Sequence, residues 1–194
     1  VLGFGSSKGV DLEKFRPFAG SMAEFREIQL RYEASAEKFI LGFVGRVSWA
    51  KGAHVLREAS NYLIEFGLDH QVVLVGPDEL GQPIQEFLDG FVADTHWLGQ
   101  LEDVAPLYWV FDVVCLPTFR EGFPNVLLEA AASSVPIVTS DATGARDFVV
   151  NGATGLLAAQ GDSFAVANAI LKIMKVGTLR KTIIEGARRE VKMK

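Results

Sequence analysis

The sequence predicts an α/β fold: one parallel sheet of about six strands, covered by helices on both faces. Two observations carry this. Short apolar runs, β-branched in part, recur roughly every 20–30 residues along the 194-residue chain, each too short for a globular helix. Helical patterns fill most of the intervals between them, as parallel pairing requires. A third observation fixes the centre of the arrangement. Residues 113–136 read V-V-C-L-P-T-F-R-E-G-F-P-N-V-L-L-E-A-A-A-S-S-V-P, a buried strand, a proline-broken loop and an apolar helix in direct succession. In open α/β sheets, ligands bind in the crevice outside the carboxyl ends of the strands.

Taken in order, the first ten residues are rich in Gly and Ser and too polar for a core strand. Their G-x-G-S-S-K-G matches neither the P-loop nor the dinucleotide fingerprint in spacing, which leaves a phosphate cradle as a poor alternative to a connecting segment. Ser21 followed by Glu24 is a capping box, and Phe25, Ile28 and Tyr32 continue it as a helical stripe, giving a helix over residues 22–34. Residues 39–44 form the first core strand. It ends in G-R-V-S-W-A-K-G, and a helix follows over residues 53–66. Gly45 and Gly52 permit close backbone approach, while Arg46 and Lys51 place two cations in the loop at the carboxyl end of the strand. A planar guanidinium, a mobile ammonium and a helix N-terminus suit a diphosphate. An ordinary exposed basic loop has the same composition.

A second strand over residues 71–75, a short helix over 83–91, a third strand over 95–101 and a short helix over 103–110 come next. The fourth strand is 113–116 and its helix 125–133, with Pro124 suited to the first helical turn. Glu121 lies in the loop between them. Glu129 lies inside the helix among Leu128, Ala130 and Ala131, where a charge is costly unless paired or hydrogen-bonded. A structural ion pair and a polar ligand both answer that cost. The fifth strand is 136–139, the sixth 154–158. Asp162 caps a helix to 176, and a last helix spans 179–191. From Arg180 to Lys194 the chain carries six cations and two anions, a solvated face or a weak contact for anionic lipid headgroups.

Composition bounds the reading. The chain is 49% hydrophobic and 22% charged, as globular chains are, and its length suits one domain with a sizeable core. A net charge of −5 argues against a nucleic-acid partner, so any anionic ligand must be held by local groups. The single Cys115 falls in a core strand, which excludes a disulfide framework and reads as an inert buried thiol. No apolar run is long enough to span a membrane. No leader peptide is recognisable; the sequence begins at Val1 without Met and is expected to be a piece of a longer protein. His54, His70 and His96 have no partner at metal spacing in the sequence and read as surface or satisfied histidines.

The stretch E-G-F-P-N-V-L-L-E, residues 121–129, resembles the E-x7-E motif of the family-four retaining glycosyltransferases, whose GT-B fold sets two Rossmann-like domains face to face. The resemblance extends to G-R-x4-K-G at residues 45–52 and to G-V-D-x-x-x-F at residues 9–15. It covers nearly the whole chain, but only the carboxyl-terminal, donor-binding half of such an enzyme. It implies a Rossmann-like domain over residues 39–178, preceded by an interdomain connection and leading helix over 1–38 and followed by a C-terminal helix over 179–194.

The resemblance also implies roles. Glu121, Arg46 and Lys51 would be catalytic, the two cations neutralising a leaving diphosphate. Glu121 would lie against the donor sugar and Glu129 would hold the ribose hydroxyls. Gly45, the backbone of Gly122, Phe123 and Pro124, and the helix-terminal groups of Asn125, Val126 and Leu127 would complete the donor site, with Leu98, Gly99 and Leu101 beside the base. The substrate would be a nucleotide-sugar, UDP-linked first and GDP-linked second, with no cofactor and no metal; no D-x-D occurs in the chain. The acceptor would be a glycan or lipid-linked sugar in bacterial surface polysaccharide synthesis, reached through an absent amino-terminal domain. The location implied is cytoplasmic, with peripheral contact at the inner face of the cytoplasmic membrane. A sugar-nucleotide epimerase of the same fold and a non-catalytic nucleotide-binding module are the alternatives. The chain departs from the family pattern twice: T-G-A-R-D stands at 143–147 where G-G-x-x-E is usual, and Ser134 stands where Gly usually closes the preceding helix, which predicts a modestly altered cap.

Overall fold

The computed structural model describes residues 9–122 and 124–192. Helix α1 (Met22–Arg31) precedes β1 (Phe39–Val44), α2 (Ala53–Glu65), β2 (His70–Val75), α3 (Ile84–Leu88), β3 (Asp94–Trp97), α4 (Ala105–Tyr108) and β4 (Val113–Leu116). Then come α5 (Asn125–Ala132), β5 (Ile137–Ser140), β6 (Leu156–Ala158), α6 (Ser163–Lys175) and α7 (Gly177–Lys192). The six strands pair in the order β3-β2-β1-β4-β5-β6, every pair parallel. The sheet is therefore the expected Rossmann-like one. Right-handed crossovers put α2 and α6 together on one face and α4, α5 and α7 on the other. Strands β2, β4 and β5 are buried along their whole length, and Phe43, Leu41, Leu74 and Ile137 fill the layers on either side. This continuous core is the main source of stability, since removing apolar side chains from water gives about 25 cal/mol per Å².

Strand order reverses between β1 and β4. The loops leaving these two neighbours at their carboxyl ends diverge to opposite faces, and the crevice between them is where an open α/β sheet has room for a ligand.

Several element ends differ from the sequence reading, each for a local reason. Helix α1 has the expected capping box, with Ser21 Oγ accepting from the Glu24 amide and Glu24 Oε2 accepting from the Ser21 amide at 2.6 Å. It stops at Arg31 because Glu33 turns left-handed at φ +53°. Strand β3 stops at Trp97 because Gly99 turns at φ +66°, and the Trp97 indole N–H closes the turn onto the Gly76 carbonyl at 2.9 Å. Pro124 stands at the N-cap of α5, one residue before the first turn. Helix α7 begins at Gly177, two residues early, and Asp162 caps α6 as read, accepting from the Ala165 amide at 2.8 Å.

The expectation of an altered cap after α5 is corrected. Ser134 adopts the left-handed conformation itself, at φ +64°, and the full glycine-type closure forms around it. The Val135 amide donates to the Ala130 carbonyl at 2.8 Å and the Ser134 amide to Ala131 at 3.2 Å, the paired bonds of a Schellman motif. The chain keeps the geometry and carries the strain. Left-handed backbone costs an L-residue about 1–2 kcal/mol, while glycine's extra unfolded-state freedom returns about 0.4–1 kcal/mol. Ser134→Gly is therefore expected to stabilise the fold by about 0.5–1 kcal/mol, seen as a higher midpoint in urea with unchanged slope. A lower midpoint would mean that the serine side chain contributes more than the strain it imposes.

Candidate functional site

The crevice at the strand-order reversal is a cleft of about 160 Å³ lined by Val44 and Gly45 at the end of β1, Leu116 at the end of β4, and Lys51, Glu121, Pro124, Asn125 and Val126. Two loops build it. The first leaves β1 through Gly45 and reaches α2 through Gly52, which is left-handed at φ +74°. A methyl group on Gly52 would fall 1.9 Å from the Pro117 carbonyl oxygen, so glycine here is a packing requirement between the two loops. The second loop, 117–122, is tied to the first by the Phe119 amide donating to the Ala50 carbonyl at 3.0 Å and by the buried Thr118 hydroxyl on the same carbonyl at 3.3 Å. Behind it, the Ser140 hydroxyl donates to the Thr118 carbonyl, and the Thr139 hydroxyl donates to the Leu116 carbonyl at 2.7 Å. The loops that carry the candidate residues are thus fixed by backbone bonds into the sheet.

Across the cleft, Lys51 Nζ donates to Glu121 Oε1. The two side chains are 17% and 9% exposed, so the pair is largely shielded from water. Glu121 is held from the other side as well. Its amide donates to the Thr143 carbonyl at 3.2 Å, and Gly144, at φ +85°, lies directly against the Glu121 and Gly122 carbonyls. The T-G-A-R-D segment, although it departs from the family pattern, is therefore the wall on which the Glu121 loop rests.

Helix α5 aims its first turn into the same cleft through Asn125 and Val126. A helix N-terminus carries partial positive charge and favours an anion. Leu127 is fully buried, and its amide turns back to the Pro124 carbonyl at 3.0 Å, so of the three expected helix-terminal residues only the first two line the cleft. Phe123 lies outside the described residues.

The remaining sequence-identified residues sit at the same edge but farther out. Arg46 is outside the cleft walls and pairs with Glu79 at 2.8 Å, with side chains 54% and 44% exposed, a contact easily exchanged for a ligand. Gly99 accepts from the Gly76 amide at 2.8 Å, and Leu98 and Leu101 rest on the core, which puts this segment beyond β2. Glu129, one turn past Asn125, accepts a hydrogen bond from the Tyr108 hydroxyl at 2.7 Å. Burial raises its carboxyl above the ordinary range, offset in part by that bond and by the charge of Lys14. Tyr108 was not singled out in the sequence. The signal was present: a carboxylate in an apolar helix needs a donor, and only three tyrosines exist to supply one.

The histidines serve the frame. His70 is buried, bonded to the Ser60 hydroxyl at 2.8 Å and the Leu68 carbonyl at 3.0 Å. His96 stands between Glu33 at 2.7 Å and Asp94 at 2.9 Å, tying the end of α1 to the edge strand. His54 stacks on Phe119, with its Nδ1 buried without a hydrogen-bond partner. Among the described residues, no group of His, Cys, Asp or Glu is placed to hold a metal ion, and no helix is long and apolar enough to cross a membrane.

This arrangement has known relatives. Residues 38–175 match the family described as Glycosyl transferases group 1. The chain is 34% identical over its whole length to the capsular polysaccharide biosynthesis glycosyltransferase CapM of Staphylococcus aureus, of which it covers 50%. It superimposes on the HepE protein of Anabaena in complex with UDP-glucose with a TM-score of 0.83 at 25% identity, covering 95% of this chain and 51% of that one. The C-terminal domain of the group 1 family protein LpcC of Francisella tularensis shares the fold, with a TM-score of 0.80 at 22% identity over 96% of this chain and 98% of that one. The chain spans about half the length of the curated relatives it matches. With the match running from before β1 to the end of α6 and the cleft included within it, the chain belongs to the glycosyl transferases group 1 family, and its fold is the Rossmann-like half of a GT-B enzyme.

Proposed function

We propose that this chain is the donor-binding half of a retaining glycosyltransferase, which moves a sugar from a UDP-sugar to an acceptor hydroxyl in bacterial surface polysaccharide or lipid-linked glycan synthesis. The observation that carries the reading is the Lys51–Glu121 pair facing the first turn of α5 in the crevice between β1 and β4. The CapM likeness and the UDP-glucose held by HepE support a surface-polysaccharide role and a uridine donor; a GDP-linked donor is our second choice. The chemistry needs a stabilised leaving diphosphate and an oxocarbenium-like sugar. Lys51, with Arg46 swinging in from Glu79, supplies positive charge to the diphosphate, and the α5 N-terminus adds a dipole at the same end. Glu121 holds Lys51 in place and presents a carboxylate to the sugar. Glu129 accepts from the ribose. No cofactor or metal enters this reading. The exposed basic residues Lys181, Arg189 and Lys192 of α7 suit a peripheral contact with anionic lipid.

Only one wall of a two-domain cleft belongs to this chain, so contacts are few and water remains. Titration calorimetry of the chain is expected to show UDP and UDP-glucose bound at millimolar to high-micromolar affinity, roughly −4 to −6 kcal/mol, with GDP and ADP weaker. Sugar transfer by the chain alone is expected to be absent, because no acceptor is oriented. Failure to bind any nucleoside diphosphate at millimolar concentration would defeat the donor-site reading; transfer by the chain alone would defeat the half-enzyme reading.

A further inference from the structure

Glu129 is the only charged residue of α5, and one of its oxygens is already committed. Tyr108 on α4 donates its hydroxyl hydrogen to Glu129 Oε2 at 2.7 Å, with the Val126 carbonyl a distant second acceptor at 3.5 Å. The Tyr108 ring is fully buried. Phe15 from the leading segment and Phe111 from the loop after α4 hold it edge-on, at centroid distances of 5.6 and 5.9 Å. Ring packing therefore fixes the hydroxyl, and the hydroxyl fixes a carboxylate whose terminal torsion is otherwise broad.

We propose that Tyr108 is a positioning residue for nucleotide recognition: it occupies Glu129 Oε2 and leaves Oε1 to accept from a ribose hydroxyl, so that the site selects ribonucleoside diphosphates over those lacking ribose hydroxyls. This rests on the reading of Glu129 as the ribose acceptor.

The electrostatics act in the same direction. Burial and the adjacent carboxylate hold the Tyr108 phenol well above its ordinary range, so it remains a donor at every working pH. The groups acting on Glu129 are Tyr108 from α4 and Lys14 from the leading segment, and Lys14 is itself paired with Asp103 at 3.0 Å. Burial favours the protonated acid, and the Tyr108 bond and Lys14 favour the carboxylate. An acid that has taken up its proton loses acceptor capacity toward the ribose. Removing the tyrosine hydroxyl deletes one of the two stabilising influences, so Glu129 would protonate at higher pH and lose its ribose bond there.

The test uses Tyr108→Phe, which keeps the ring and its edge contacts. Calorimetric titrations of the chain with UDP and with dideoxy-UDP are run across the acid-to-neutral range. At neutral pH the variant is expected to bind UDP about three- to tenfold more weakly, the value of one hydrogen bond, with dideoxy-UDP affinity unchanged. The pH at which the preference for UDP disappears is expected to move upward. Adding Tyr108→Phe to Glu129→Gln is expected to cost nothing further. Equal losses for both nucleotides, or an unmoved pH profile, would reduce Tyr108 to a packing residue and overturn the proposal. A wild-type chain without preference for UDP over dideoxy-UDP would instead overturn the ribose role of Glu129, and the proposal with it. A second measurement needs no substitution. In the chain labelled with fluorotyrosine, the residue 108 resonance is expected to titrate with Glu129 and to shift with UDP but not with dideoxy-UDP; a resonance indifferent to UDP would also overturn the assignment.

Discussion

Lys51→Ala is expected to damage folding and binding together, and Arg46→Ala to damage binding alone. Lys51 is paired with a Glu121 that is 9% exposed, so deleting the ammonium leaves a shielded carboxylate with no countercharge. Breaking a fully buried pair from one side costs about 3–5 kcal/mol; partial access to water brings the expected loss here to about 2–3 kcal/mol. Arg46 is half exposed, and its bond to Glu79 is worth about 0–1 kcal/mol. For UDP, each cation is expected to contribute about 1.5–3 kcal/mol as a charge-assisted bond, roughly 10- to 150-fold in affinity, with uridine nearly unaffected. The double variant Lys51→Met with Glu121→Gln removes both charges and is expected to recover most of the lost stability without recovering UDP affinity. Glu121→Gln alone is expected to raise affinity for bare UDP, because the diphosphate then meets an uncontested Lys51 and no neighbouring carboxylate. Urea midpoints and calorimetric titrations decide these points. Unchanged stability in Lys51→Ala would show the pair to be incidental, and equal losses for uridine and UDP would remove Lys51 from the diphosphate.

These expectations could be framed only in part from the sequence. The two loops that matter were legible, because each bears its signature locally: a strand that ends in glycine, cations or a carboxylate within the next few residues, and a helix directly after. Six strands followed from the spacing of apolar runs, and their parallel pairing from the helices between them. What the sequence did not show is which charges meet. Lys51 and Glu121 are 70 positions apart and Arg46 and Glu79 33, and nothing local to either residue names its partner. The same holds for Tyr108 beneath Glu129, where need for a donor was evident but its source lay on another helix. Element ends were the weakest part. Those of α1 and β3 are set by left-handed residues, Glu33 and Gly99, one of them a glutamate that gives no sequence signal for such a turn. Ser134 is the sharpest instance. Its lack of glycine character argued for a changed cap, yet the paired bonds to Ala130 and Ala131 and the chain's path into β5 hold the serine in glycine's conformation.

Gly144→Ala is expected to separate recognition of the sugar from recognition of the nucleotide. A β-carbon at Gly144 would fall 2.2 Å from the Gly122 carbonyl oxygen and 2.6 Å from that of Glu121, both backbone atoms that yield only if the loop moves. The residue also sits at φ +85°, where alanine pays about 1–2 kcal/mol for the left-handed conformation alone. Gly152 isolates that second cost. It lies at φ +78°, with nothing within 4 Å of an added β-carbon, so Gly152→Ala carries the conformational penalty without the collision. Gly144→Ala is expected to exceed Gly152→Ala by about 1–3 kcal/mol in destabilisation, the range of an overpacked contact. Its effect on binding is the more telling. Displacing the Glu121–Gly122 backbone moves the carboxylate proposed to face the sugar, while Glu129 and the α5 N-terminus keep their places. UDP affinity is therefore expected to change little, and the additional affinity that glucose gives to UDP-glucose over UDP is expected to vanish. Gly152→Ala leaves that difference intact. Should Gly144→Ala leave that difference intact, whether or not both affinities fall, Glu121 does not contact the donor sugar and the T-G-A-R-D segment supports the fold alone.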